Sequence, residues 1–368
     1  MKKRFSLRDP QTLLIGLGLL GIIFMVFWNV APREADPVEK EEFVTDASRL
    51  MARAVEAVRD CRKGAEIPID GRTDLNRTGL VGLESSPITT SLGQLEAKRT
   101  TVNPAFAGAV VRMLREAGVE RGDVVAVGAS SSFPGLIVAT LCAAQAMGVR
   151  ALPIVSLGAS NWGGNDPRWT GIDILDCLNG CGVLDVGILA LSIGGEGDTG
   201  RDMTAEGREL LRRRIEAAGT AFIEERGLVS DVAARMRLFE AYAGVEPIKA
   251  FINIGGSWVN MGTDSEVLKL QPGFNPASAV TVPPVGRRGL IQEWAARGIP
   301  VIHLLYVKGL CDRYGLPWDP VPLPDPTAGT DSSAPNGSIR PWLAGLAVLF
   351  LAAGLILIRL RRLSGLTD

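Results

Sequence analysis

A chain of 368 residues with 39 basic, 40 acidic and one histidine side chain is close to neutral, but its charge is unevenly placed. Setting aside Lys2, Lys3, Arg4, Arg8, Arg359, Arg361 and Arg362, together with Asp9 and Asp368, leaves 32 basic against 38 acidic side chains. That balance excludes a general electrostatic grip on a polyanion, and an aromatic content of 6% is too low for base-stacking platforms, so no nucleic-acid partner is expected.

In chain order, a basic tail (residues 1–12) precedes an apolar run at 13–31, uncharged from Leu13 to Val30. A second run at 342–358 is followed by the basic tail 359–368. Each is close to the roughly 17–25 residues that cross a hydrocarbon core, and the flanking Lys and Arg residues predict cytoplasmic termini. The expectation is a two-pass protein of the cell membrane with an extracytoplasmic domain at 32–315 and a proline-rich linker at 316–341. A cleaved signal peptide is the competing reading. The first run is longer than a signal h-region, and cleavage after Ala31 or Ala35 would place Asn29 or Arg33 where a small residue belongs.

Between the spans, Asp36-Pro37 opens a helix with Phe43, Ala47, Leu50, Met51, Ala54 and Val58 on one face. Residues 68–104 are loop-rich and end in Asn103-Pro104, an N-cap and first-turn proline for a helix over Ala105–Ala117. Strands are predicted at Asp123–Val127, Ala151–Val155, Val186–Ile193, Ala221–Ile223, Lys249–Ile254 and Pro300–Leu305. Helices are predicted at Leu136–Met147, Ala205–Ala218, Val232–Ala243 and Leu290–Ala296. This alternation predicts an α/β domain with a mainly parallel sheet and helices on both faces.

In such sheets ligands bind beyond the carboxyl ends of the strands. The loop GASSSFPG (128–135) brings Ser130, Ser131 and Ser132 to a strand-to-helix turn, where hydroxyls and backbone N–H groups can hold a ligand. It also approximates a nucleophile elbow centred on Ser130, although Ser132 stands where the closing glycine belongs. Lys98 and Arg99 form the one local basic candidate. Asn161 and Asn165, in an Asn/Gly/Trp loop, and Asn253 and Ser257, in another, offer groups suited to an amide-bearing ligand. Gly195-Glu196-Gly197-Asp198-Thr199-Gly200 matches G-x-G-x-x-G, but two carboxylates would oppose a pyrophosphate, so a flexible acidic loop is expected there. His303 lies within an apolar strand and reads as a core residue, with general base for Ser130 as the alternative. Of the five cysteines, Cys177 and Cys181 (CLNGC) could close a small disulfide loop or give half a metal site. One histidine and no second cysteine pair exclude a structural zinc centre. No metal and no cofactor is expected, and the chain lacks a Walker A sequence.

Four stretches, SPITTSLGQLEAKRTTVNPAFA, GASSSFPGLIVATLCAAQAMG, SNWGGNDPRWTGIDIL and FINIGGSWVNMG, together with the two terminal apolar runs, resemble the poly-gamma-glutamate system proteins. These accompany the synthesis and export of the poly-γ-glutamate capsule polymer. The resemblance runs from the first apolar run to about Tyr306 and implies a context, with no residue roles attached. It implies a membrane-anchored accessory protein whose partners are the polymer or its membrane synthase and export subunits. An extracytoplasmic serine hydrolase or transferase using Ser130, or a purely structural synthase subunit, are the alternatives.

Overall fold

Apolar runs such as VVAV (124–127), and FINI (251–254) with its single asparagine, are suited to strands covered on both faces. In the computed structural model, which describes residues 37–326, they lie at the centre of one seven-stranded sheet. Its strands are β1 (Val124–Ser130), β2 (Arg150–Ser156), β3 (Ala190–Ser192), β4 (Ala221–Phe222), β5 (Ile248–Ile254), β6 (Gly273–Asn275) and β7 (Val301–Leu304). The order is β4-β3-β2-β1-β5-β7-β6, with every neighbour parallel except the antiparallel β6–β7 pair. The chain therefore builds outward from β1 to β4 and then returns to the other side of β1 through β5. The gap between β1 and β5 is the topological switch point, where open α/β sheets bind ligands.

The helices are α1 (Pro37–Gly64), α2 (Leu95–Thr101), α3 (Ala105–Glu116), α4 (Pro134–Met147), α5 (Gly171–Gly180), α6 (Ala205–Ala218), α7 (Leu228–Ala243), α8 (Trp258–Met261), α9 (Leu290–Ala296) and α10 (Val307–Tyr314). Strand alternation divides the core into two layers. Val125, Val127, Ala129, Ala250, Ile252 and Ile254 join the layer beneath α1, α3, α4 and α10. Val124, Ala126, Ile248 and Phe251 join the layer beneath α7 and α9. The α/β class with helices on both faces of a mainly parallel sheet is thus what the chain adopts. Gly108 of α3 lets α1 approach closely, since a Cβ there would lie 2.9 Å from both Ser48 Oγ and Val44 Cγ1.

Local differences from the sequence reading have identifiable causes. The strand expected over Val186–Ile193 shrinks to β3 because the Asn179 side chain takes both backbone groups of Val186, at 2.9 and 3.2 Å. Asn103 caps α3 as expected in kind, its Oδ1 accepting from Ala105 N at 3.1 Å, but Pro104 occupies the N-cap position itself. Residues 316–323, read as the start of a linker, pack on the domain. Leu316 is buried, Trp318 and Leu323 lie against the first core layer, and Asn76 Nδ2 donates to Pro320 O at 2.9 Å. Cys177 pairs with Cys61 of α1 across 116 residues, so the CLNGC ring does not form. The Cys181 sulfur sits 3.8 Å from that of Cys61. The expected spans at 13–31 and 342–358, both tails and residues 327–341 lie outside the described residues. Among the described residues no helix is long and apolar enough to cross a membrane.

Candidate functional site

The strand registers line hydroxyls along the carboxyl edge of the sheet. Ser130, the last residue of β1, stands beside Ser156 of β2, which stands beside Ser192 of β3. Beyond this edge opens a cleft of about 460 Å³ with mixed polar and apolar walls. Ser130, Ser132 and Phe133 form its floor, with Ser160 and Ser156 on one side and Gly256 to Trp258 on the other; the 90–98 segment and Tyr306 to Lys308 close it. The β1 strand runs three residues past the predicted end, and Ser131 N then donates to Ser156 O at 2.9 Å. The turn that follows is therefore anchored to β2 before α4 begins at Pro134. At Gly135 a Cβ would meet Thr101 O at 2.5 Å, so glycine there lets α2 and its lysine pack against the start of α4.

Lys98 is the unusual group in this cleft. It is 2% exposed, and its Nζ donates to Ser160 Oγ at 2.8 Å and to the carbonyl of Ser132. It lies 3.6 Å from the centre of the Phe133 ring. It makes no ion pair among the described residues, so burial without a counter-charge pushes its pKa down to about 7. The other two buried cations are both paired. Arg62 reaches Asp166 at 3.4 Å, and Arg235 binds Asp231 and, at 2.6 Å, Asp198.

The hydroxyls around Lys98 are connected. Ser130 Oγ donates to Ser132 Oγ at 2.9 Å and accepts from Ser132 N at 3.2 Å. Ser132 Oγ also accepts from Ser160 N at 3.0 Å. Ser160 was not singled out in the sequence, although it immediately precedes Asn161 in a loop that was. Ser257 lines the cleft and caps α8 by accepting from Asn260 N.

The remaining candidates are buried or bonded elsewhere. Arg99 turns away from Lys98 and clamps Asp319, Nε to Oδ1 at 2.8 Å with a second bond in parallel, so the expected two-cation site does not assemble. Ser131 is fully buried, its Oγ without a partner and packed beside Gly171. Asn161 holds Glu84 O and Gly93 N. Asn165 is buried and ties Leu83 N, Leu83 O and Thr89 Oγ1, each at 2.9 Å. Asn253 is buried between Gly255 O, Asn260 and His303. These three amides shape the loops and present no free group to a ligand.

His303 lies on β7, with β5 between it and β1, and its Nδ1 is 3.0 Å from Asn253 Nδ2. Burial holds its pKa down to about 4, so it is a neutral core residue and not the base for Ser130. The Ser130 backbone is not in the left-handed region, which removes the strained elbow as well. The loop 195–200 is tied down: Asp198 accepts from Arg235, from Ser192 Oγ at 3.0 Å and from Ser156 Oγ at 3.4 Å. Its carboxylate is used inside the fold and offers no cation site. Comparison with family models, with curated proteins and with solved structures finds no match.

Proposed function

We infer that this chain is a poly-γ-glutamate system protein that engages the polymer in the cleft at the carboxyl edge of its sheet. One observation carries the reading. The four stretches that bear the resemblance are far apart in sequence, yet 90–94 with Ala97 and Lys98, Ser130 with Ser132 and Phe133, Ser160, and Gly256 to Trp258, one group from each, line the same cleft. Each stretch therefore contributes residues to the cleft as well as to the core, where Leu136, Leu141, Phe251 and Ile252 are fully or almost fully buried. The Cys61–Cys177 disulfide fits an oxidising, extracytoplasmic compartment, in keeping with the orientation read from the terminal charges.

The cleft's charges are mixed. Lys98 and Lys308 face Glu196 and Asp202, and Lys308 is itself paired to Asp312 at 2.6 Å. Recognition therefore falls to hydroxyls and backbone groups acting on the amide linkages of the polymer, and affinity depends only weakly on salt. The test is binding of defined γ-glutamyl oligomers to the full chain in detergent. Ser130→Ala removes one hydroxyl of several and costs about 0.5–1.5 kcal/mol, whereas Ser130→Trp fills the floor and abolishes binding. Oligomer binding that survives Ser130→Trp in a folded protein refutes the site.

A further inference from the structure

Buried cations in folded proteins are paired, because an isolated charge in a poorly hydrated site is far too costly. Arg62 and Arg235 obey that rule here, and among the described residues Lys98 alone does not. A lysine placed without a counter-charge at the switch point of an α/β sheet, touching a hydroxyl, has the arrangement of an amine kept neutral so that it can accept a proton. Three serines are near it, and the hydrogen bonds distinguish them. Ser132 offers Lys98 only its carbonyl, and its Oγ already accepts from Ser130 Oγ and Ser160 N. Ser130 is engaged with Ser132. The Ser160 hydroxyl alone sits on the amine, at 2.8 Å. Ser160 is 5% exposed, yet it lines the cleft.

We propose that Lys98 and Ser160 act as general base and nucleophile in acyl transfer on an amide-linked acidic chain lying in the cleft, a step that rests on the polymer reading above. Lys98 takes the hydroxyl proton as Ser160 Oγ forms a bond to the amide carbonyl carbon. The C–N bond then breaks, and the proton passes from Lys98 to the departing amine. The acyl group is left as an ester on Ser160. Water, or the amine end of another chain, attacks that ester with Lys98 again taking the proton; the C–Oγ bond then breaks, and Lys98 returns the proton to Ser160 Oγ. The products are a shortened chain in the first case and a rejoined one in the second.

The charged groups that share the surroundings of Lys98 are few and mostly committed. Glu196 pairs with Arg201 at 3.3 Å. Asp202 accepts from Glu196 N at 2.9 Å. Lys308 is held by Asp312 and Arg99 by Asp319, and Glu96 lies on the same helix. None of them contacts the amine, so the protonation of Lys98 governs the pH profile.

The experiment uses the full chain in detergent and a fluorophosphonate, which loses fluoride when an activated serine attacks its phosphorus. Mass spectrometry maps the adduct, and binding of a γ-glutamyl oligomer is measured on the same samples. The expected result is an adduct on Ser160 whose rate rises with pH through a midpoint near 7. Lys98→Met and Lys98→Arg, one unable to hold a proton and the other unable to release it, each slow labelling at least about 100-fold. Partial rescue by Lys98→Arg would mean that the amine merely holds the two loops together, and it overturns the proposal. So does an adduct on Ser130 or Ser132, or unchanged labelling of Lys98→Met. Oligomer binding with no adduct overturns the chemistry and leaves the polymer site standing. An adduct without oligomer binding supports the pair and overturns the polymer reading instead.

Discussion

Lys98→Met makes the protein more stable while removing its base. The side chains are of similar length, and the methionine thioether keeps a favourable contact with the Phe133 ring. In the wild type, burial lowers the lysine from 10.5 to about 7. A shift of that size corresponds to about 5 kcal/mol of destabilisation when the amine is charged. Met forfeits two hydrogen bonds, to Ser160 Oγ and Ser132 O, worth about 0.5–1.5 kcal/mol each. A net gain of about 2–4 kcal/mol remains at low pH. The sign with pH is fixed: between about 7 and 10.5 the unfolded lysine holds a proton that the folded one has released. Wild-type stability therefore rises across that window, and the variant's advantage is full below it and fades towards its upper end. Urea unfolding followed by tryptophan fluorescence at a series of pH values reads the gap directly. A Lys98→Met protein that is less stable than wild type near pH 6, or whose advantage does not shrink by about pH 9.5, refutes the assignment of Lys98 as a buried, uncompensated amine.

Arg235→Met strands Asp231 and Asp198 in the interior without a cation, and urea unfolding should register a loss of about 3–5 kcal/mol; adding Asp231→Leu and Asp198→Asn should recover most of it. Arg99→Ala releases Asp319 from a partly exposed clamp; the global cost is about 1 kcal/mol, but amide exchange over residues 316–323 should accelerate markedly while the sheet remains protected. His303, neutral in the fold down to about pH 4, should make stability fall as the pH drops from about 6.5 towards 4, because the unfolded histidine takes up a proton that the folded one refuses. His303→Gln should flatten that part of the acid titration.

The sheet was legible because its strands are apolar on both faces and its helices carry an apolar stripe, signals held within a dozen residues. Helix α5 was missed although Thr170 and Asp173, three apart, make a capping box that the sequence displays. Strand β6 carried no such signal: three residues, Gly-Phe-Asn, pair antiparallel with β7 only because α10 and its Tyr314 hold them there, through a bond to Phe274 N at 3.2 Å. In the site, Ser130 and Ser132 were legible from their position after a strand and before a helix, and Lys98 as part of a local basic pair. Their neighbours were not. Lys98 and Arg99 look alike in sequence, and what separates them is that Asp319, 220 residues beyond Arg99, captures one and leaves the other unpaired. Ser160 was hidden by the more conspicuous asparagine beside it.

The clamp between Arg99 and Asp319 also fixes where the last described residues lie relative to the cleft. Trp318 belongs to the cleft wall, and Asp319 is bound to the helix that carries Lys98. At about 3.3–3.6 Å per residue, Pro326 can lie no more than about 25 Å from that clamp. A molecule attached to the chain beyond this point is held beside the opening of the cleft at an effective concentration set by tether length, not by its abundance in solution. Weak intrinsic affinity in the cleft would then suffice for near-continuous occupancy by a group attached there, and the same group supplied free in solution would have to reach that concentration to compete.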